Sequence, residues 1–384
     1  MKHQVPEKFI PKQYQRCSIS VMDNISDPDI TFDEKGICNY FYNYQKAERK
    51  TILPIEQRAK KLDAIIAEIK LAGKGKKYDC ILGVSGGVDS TYLALKTKEY
   101  GLRVLCVHFD NGWNSELAVS NIENIVNRCN FDLYTYVINW PEFRDIQLSF
   151  FKAHVVDIEA VTDIAIFAAL DKICKERGIK YIIDGRNVVT EEVLPKSWIY
   201  KDQVNLLDIH KNFGSIKLKS YPIIAYSTYK LNQITKPFQS IPLLNYIDYN
   251  KLQAKAEIIE KLGWRDYGGK HYESIFTRFY QGYILPNKFG IDKRKAHLSN
   301  LIYSGQITLD QALTELETPI YPKALFEEDK IFVMKKLGFI ADEFEQYIQS
   351  SPRSHFEFKR TTTIYEKYPV LNLGKPFFKL IFGK

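Results

Sequence analysis

The segment ILGVSGGVDSTYLAL, residues 81–95, opens as an apolar strand, breaks at two adjacent glycines and runs straight on into a helix. Adjacent glycines let the backbone turn tightly and bring its N–H groups close to an anion. Ser85 and Ser90 add hydroxyl donors beside Gly86, Gly87 and Val88. The helix that follows aims its positive end at the same point. Asp89 would repel a bare phosphate, so its natural partner is a Mg²⁺ ion bridging phosphates. The loop is not of the G-x-x-x-x-G-K-[ST] kind: counted from Gly83, the second glycine would fall on Val88 and the lysine on Asp89. It also lacks the G-x-G-x-x-G of a dinucleotide binder.

Outward from this loop, short apolar runs alternate with helical stretches. DCILGV (79–84), RVLCVHF (103–109), DLYTYVIN (132–139) and KYIIDG (180–185) read as strands, and 90–100, 115–129 and 159–177 as helices. The alternation predicts a parallel sheet with right-handed crossovers and a ligand outside the carboxyl ends of its strands. Upstream, PIEQRAKKLDAIIAEIKLA (54–72) has the spacing of an amphipathic helix with Pro54 at its start. Beyond about residue 205 the strand signals fade, and 225–236, 249–262, 272–284, 291–303, 307–316 and 322–337 read as helices. The expected fold class is therefore α/β, a parallel-sheet domain with a mostly helical C-terminal region. The expected organisation is an N-terminal segment (1–53), a nucleotide domain (54–205), a helical substrate or partner region (206–345) and a basic aromatic tail (346–384) ending KPFFKLIFGK.

Composition sets the bounds. At roughly 150 residues per domain, 384 residues predict two or three domains and a full apolar core. A hydrophobic fraction of 45% and a charged fraction of 26% argue against disordered, collagen-like or coiled-coil chains. No apolar run approaches the roughly 18 residues of a membrane span, and MKHQVPEKFIPKQYQRC has no signal-peptide core. Six scattered cysteines do not make a disulfide framework, so the expected compartment is the cytoplasm. The net charge of +8 admits an anionic partner without choosing one.

SGGVDS resembles the PP-loop signature of the N-type ATP pyrophosphatases, a superfamily that includes NAD, GMP, asparagine and argininosuccinate synthetases and several tRNA-modifying enzymes. The resemblance implies an adenine nucleotide alpha hydrolase-like domain that cleaves ATP between its α and β phosphates. Ser85, Gly86, Gly87, Val88, Asp89 and Ser90 would then surround the pyrophosphate, with Ser85 and Asp89 serving the reaction. It also puts the backbone near His108 and Phe109, with Asp110, beside the adenosine; the His108 imidazole itself reads as structural. DGRNVVTEE (184–192) resembles the G-[TX]-N-x-x-[TX]-E segment of amide-forming members. That likeness implies Gly185 and Asn187 at the nucleotide, Glu191 with Asp89 on Mg²⁺, and Arg186 stabilising charge on the phosphates.

Three further segments narrow the resemblance to the N-acetyl sugar amidotransferases, the WbpG-like proteins of surface-polysaccharide biosynthesis. They are YQRCSISVMDNISDPDITFDEKGICNYF, NVVTEEVLPKSW (187–198) and YGGKHYESIFTRFYQGYILPNKFGIDKRKAHLSNLI (267–302). The family opening carries two C-x-x-C pairs. Here Ser20 and Phe41 stand three residues after Cys17 and Cys38, where the second cysteine of each pair would be, so no complete zinc tetrahedron is expected. The family reaction adenylates the acetamido group of a nucleotide-linked N-acetyl sugar and displaces AMP with ammonia, for lipopolysaccharide O-antigen or capsule. From the block after residue 267, whose polar residues also include Glu273 and Lys288, Lys270, Arg278 and Arg294 are the expected substrate contacts. Asp163 is expected to cap its helix.

No cysteine has a glutaminase setting, so the ammonia is expected from separate glutaminase and ammonia-channelling subunits resembling those of imidazole glycerol phosphate synthase. No nucleic acid is expected, and at most a peripheral membrane contact through the tail. The rival reading is a PP-loop tRNA-modifying enzyme, of thiolase or lysidine synthetase type. Its thiol chemistry would have to rest on Cys106, buried in mid-strand.

Overall fold

The computed structural model describes residue 6 and residues 9–362. Two helices, α1 (Asn39–Thr51) and α2 (Ile55–Ala72), lead into β1 (Cys80–Gly83), α3 (Val88–Glu99), β2 (Val104–Asp110), α4 (Glu116–Cys129), β3 (Asp132–Val137), α5 (Trp140–Lys152), α6 (Ala160–Arg177) and β4 (Tyr181–Asp184). The one-turn α7 (Val188–Glu191), α8 (Gln203–Phe213) and α9 (Tyr226–Thr235) precede β5 (Gln239–Pro242). Then come α10 (Lys251–Leu262), α11 (Ile275–Phe279), a π-helical stretch (Tyr280–Phe289), α12 (Arg294–Tyr303), α13 (Leu309–Glu317), α14 (Lys323–Leu337) and α15 (Ala341–Gln349). The strands form one parallel sheet in the order β3-β2-β1-β4-β5. The expected class, a parallel α/β sheet followed by helices, is the one observed.

The middle of the sheet is covered on both faces, which explains the unbroken apolar run of β1. Cys80 and Leu82 pack with α2, α3, α4 and α10, while Ile81 points to the other side with Ile173, Cys174 and Ile179. A third and larger core joins α5, α6, α8, the π-helical stretch, α14 and α15 around Phe143, Phe150, Phe151, Phe279 and Phe344. Residues 16–38 are built into that core through Cys17, Met22, Ile30 and Cys38.

Two features differ from the sequence reading. β5 comes from beyond residue 205 and pairs with β4, so the sheet reaches into the stretch expected to be helical. QSIP has no apolar alternation because β5 is a short edge strand, where a proline is tolerated. Helices α1, α5, α8 and α15 were not expected. The tail ending FFKLIFGK lies outside the described residues. Among the described residues no helix is long and apolar enough to cross a membrane.

The segment after α15 is fastened by a buried histidine. His355 donates from Nδ1 to Asn205 Oδ1 at 2.7 Å, since the Asn205 amide nitrogen is itself donating to the carbonyls of His355 and Lys359. His355 Nε2 accepts the Asp157 N–H at 3.3 Å, which requires a neutral ring. Burial holds the His355 pKa down to about 4. Burial pushes the neighbouring Asp157 carboxyl up to about 7. The depressed histidine contributes stability that is present above its unfolded pKa of about 6.5 and lost as pH falls toward 4. The raised carboxyl acts oppositely: its contribution is present below its unfolded pKa of about 3.9 and lost as pH rises toward 7. Asp157→Asn removes the opposing contribution. Between pH 4 and 6.5 the variant's stability, measured by urea unfolding, should climb about 3 kcal/mol more than that of the wild type. Equal slopes would show that the carboxyl ionises as easily in the fold as in the unfolded chain.

Candidate active site

The loop after β1 is shaped by its neighbours as much as by its glycines. Val84 N–H continues the parallel ladder to Val107 O, and His108 Nδ1 bonds Val84 O at 3.0 Å. The chain then reverses at Gly86, whose φ is +82°. A Cβ there would stand 2.9 Å from Ala118 O and 2.7 Å from Tyr267 Oη, so only glycine fits. Gly87 opens α3, and its carbonyl accepts Ser90 Oγ at 3.1 Å and Thr91 Oγ1 at 2.7 Å. Gly87 N–H donates to Ser85 Oγ at 3.3 Å. The result is a compact loop on the N-terminus of a twelve-residue helix, a site suited to an anion.

Asp89 lies in the first turn of α3. Its carboxylate accepts the Tyr249 hydroxyl, and burial, reinforced by that charge, raises the Tyr249 pKa. Gly185 lies directly behind: a Cβ there would be 3.4 Å from Asp89 Cβ. The Lys251 ammonium feels Asp89, Glu191 and Glu273 and makes no hydrogen bond or ion pair with another described residue. Burial lowers its pKa. Glu273 closes the loop from outside, with Oε1 3.3 Å from where a Cβ on Gly87 would be.

The expected adenosine side is ordered by hydrogen bonds. Because His108 Nδ1 faces a carbonyl it carries the proton, and Nε2 accepts Asn114 Nδ2 at 3.0 Å. Both nitrogens are used, so the imidazole is structural. Asp110 accepts Gly112 N–H at 2.8 Å and Asn114 Nδ2 at 3.1 Å. The Phe109 ring stacks on Tyr136 of the next strand. Cys106 is fully buried in β2, and burial pushes its thiol up to about 12, which removes it as a nucleophile.

Past β4, a cavity of about 880 Å³ opens between the strand ends and the C-terminal helices. Its wall includes Arg186, Asn187, Glu191, Lys270, His297 and Lys293. The Asn187 side chain is committed: Oδ1 caps α7 by accepting Thr190 N–H at 2.8 Å, and Nδ2 donates to Gly185 O. Any nucleotide contact by Asn187 would therefore have to come from its backbone. Arg186 pairs with Asp184 through two bonds of 3.0 and 2.8 Å. Lys270 Nζ lies 3.5 Å from Glu191 Oε1 and 3.2 Å from His297 Nδ1. Burial and the nearby Lys270 and Lys251 hold His297 well below the usual histidine range, so it is neutral.

The two arginines expected at the substrate are spent on the protein. Arg278 makes a two-pronged pair with Asp329, and Tyr272 O takes a third bond. Arg294 pairs with Asp292 and donates to the carbonyls of Glu315 and Thr318. Both border the cavity as struts of its wall. Lys288 is fully buried and donates to the carbonyls of Tyr347 and Ser350 at the end of α15, so it is a structural cation rather than a surface contact. Asp163 does not cap α6. It faces the cavity, 2.7 Å from Lys201 Nζ, and the α6 N-cap is Glu159.

The two N-terminal cysteines sit in a hydrogen-bonded cluster. Cys38 N–H donates to Cys17 Sγ at 3.2 Å, and Tyr303 Oη sits between Cys38 Sγ at 3.2 Å and Ser20 Oγ at 2.8 Å. Phe41 packs on the Tyr303 ring. Hydrogen bonding from Cys38 draws the Cys17 thiol down to about 5, and the shared proton raises Cys38. Among the described residues no three of His, Cys, Asp or Glu are placed to hold a metal ion by themselves.

Tyr249, Lys251, Trp264, Tyr267 and His297 were missed as site residues. They come from helices and loops far along the chain, and no local motif marks them. Glu273 was noted only as one polar residue of its block.

Residues 273–371 match the family model described as the C-terminal domain of LPS biosynthesis protein WbpG-like proteins. An uncharacterized protein of Methanocaldococcus jannaschii, MJ1599, is 26% identical over 324 residues, which are 82% of this chain and 97% of that protein. Among solved structures, NMN synthetase from Francisella tularensis has a TM-score of 0.30 at 13% identity, covering 54% of this chain and 96% of its own. NAD+ synthetase from Burkholderia pseudomallei has a TM-score of 0.29 at 12% identity, covering 58% and 98%.

The loop geometry makes a direct prediction. Gly86→Ala should leave the circular dichroism spectrum intact and weaken pyrophosphate binding, measured by calorimetry, by about tenfold or more, the loss of one or two amide bonds to a charged group. Unchanged binding would mean that the loop amides do not hold the anion.

Proposed function

The chain carries a WbpG-like C-terminal domain over residues 273–371, and from this we propose that it is an ATP-dependent, AMP-forming amidotransferase acting on an acetamido group of a nucleotide-linked N-acetyl sugar. The observation that carries the reading is the juxtaposition of an anion-suited loop at the carboxyl end of the central strand with a large cavity walled in part by residues of that domain. The proposed setting is surface-polysaccharide assembly, lipopolysaccharide or capsule.

The reaction runs in two displacements. The acetamido oxygen attacks the α-phosphorus of ATP, the bond to the bridging oxygen breaks, and pyrophosphate leaves. Ammonia then attacks the imidate carbon, the C–O bond breaks, AMP departs, and loss of a proton leaves the acetamidino group. The loop amides and the N-terminus of α3 hold the departing pyrophosphate. The largely buried Lys251 ammonium offsets its charge. Asp89, a carboxylate in the first turn of the helix that leaves the loop, fits a bound Mg²⁺, which would supply charge neutralisation at the phosphates. The Tyr249 hydroxyl fixes the Asp89 carboxylate in orientation. Arg186, paired with Asp184 at the end of β4, would add positive charge beside the phosphates.

On the substrate side, the cavity's loosest ion pairs mark the groups a diphosphate can recruit. Lys270 lies 3.5 Å from Glu191 and Lys293 3.8 Å from Glu159. The tight pairs of Arg278 and Arg294 set the wall instead. Separate glutaminase and channelling subunits are the proposed source of ammonia.

Incubation with ATP, Mg²⁺, ammonium and UDP-diacetamido sugars should give AMP and a product lighter by the difference between O and NH. ADP in place of AMP would refute the adenylation step. Asp89→Asn, which keeps an acceptor for the Tyr249 hydroxyl, should lower turnover about a hundredfold or more without changing the melting temperature appreciably; full activity would remove the Asp89 charge from the chemistry.

A further inference from the structure

We propose that Glu273, at the start of the WbpG-like domain, is a ligand of the divalent cation that accompanies ATP and shares it with Asp89 across the phosphate loop. The inference rests on the ATP reading above but not on the identity of the sugar.

Three observations carry it. The first is position. Glu273 Oε1 and Cδ lie 3.3 and 3.6 Å from where a side chain on Gly87 would begin, so this carboxylate stands at the mouth of the loop. The second is anchoring. Glu273 O accepts Ser115 N–H at 2.9 Å, Ser274 bridges to Asn114, and Ile275 N–H bonds Trp113 O at 2.8 Å. Three successive residues are thus tied to the connection between β2 and α4, and the side chain is delivered from a fixed backbone. The third is charge. A carboxylate beside loop amides and a helix N-terminus built for phosphate would repel the nucleotide unless a cation lies between them. His271, 3.5 Å away, offsets part of that charge and can do so fully only when protonated. Asp89 acts on the Glu273 carboxyl, and both act on Lys251.

Glu191, the other carboxylate of the neighbourhood, is turned to the cavity and engaged by Lys270, which also bonds His297. Among the described residues no three ligand side chains converge. That suits a hydrated cation held by two carboxylates and completed by phosphate oxygens and water.

The test is Mn²⁺ affinity, read by electron paramagnetic resonance on the full chain with α,β-methylene-ATP and no sugar. Glu273→Gln should weaken Mn²⁺ binding in the nucleotide complex by about tenfold or more, and Glu273→Asp should recover part of it. Glu191→Gln should weaken it less than Glu273→Gln. Unchanged Mn²⁺ affinity in a folded Glu273→Gln protein would overturn the assignment, as would a larger loss in Glu191→Gln. Should Glu273→Gln fail to fold, Glu273→Asp alone decides: a shift in Mn²⁺ affinity supports the ligand role and none refutes it. A wild-type protein that binds no nucleotide would instead sink the ATP reading itself.

Discussion

The carbonyl of Gly86 is where the two halves of this protein are joined. Trp264 Nε1 and Tyr267 Oη both donate to it, at 2.7 and 2.9 Å. The left-handed turn at Gly86 leaves that oxygen where indole and phenol reach it. A buried carbonyl without a partner would be costly, so the loop needs the later segment as much as the segment needs the loop. Once 264–267 is pinned there, the chain that follows is committed to running across the loop, and Glu273 arrives at its mouth.

The same economy governs the cavity. Its cations are held by partners of graded strength. Arg278 with Asp329 and Arg294 with Asp292 are short and two-pronged, and their remaining donors go to carbonyls. Such pairs are expensive to open and behave as scaffold. Lys270 and Lys293 are held loosely, at 3.5 and 3.8 Å. A compact ammonium on a flexible stem can move to a ligand at small cost. The distinction between wall and recruit follows from partner geometry, not from residue type.

The N-terminal segment is held by packing and hydrogen bonds around its two cysteines. Cys38 N–H bonds the Cys17 sulfur, while a tyrosine hydroxyl from α12 bonds Ser20 and Cys38. Met22, Ile30 and the two cysteines pack into the largest core, so hydrophobic burial supplies the cohesion. The segment in turn braces α12: Asp23 pairs with Lys295, and Val21 N–H bonds Ser299 Oγ.

The sheet-forming half was legible in the sequence because its information is local. A strand buried on both faces is a continuous apolar run, a left-handed turn demands glycine, and a helix begins immediately after; all three lie within residues 81–95. The sheet's direction and the helical character beyond residue 205 follow from periodicity in the same way. What sequence could not decide was which charge meets which. Arginines that read as anion contacts are neutralised by carboxylates 51 residues away in one case and two in the other. A helix-capping aspartate turned out to face a lysine, and the residues that clothe Asp89 come from 160 positions downstream. Local backbone geometry is written in neighbouring residues, whereas electrostatic pairing depends on distances through space, and only the folded chain sets those.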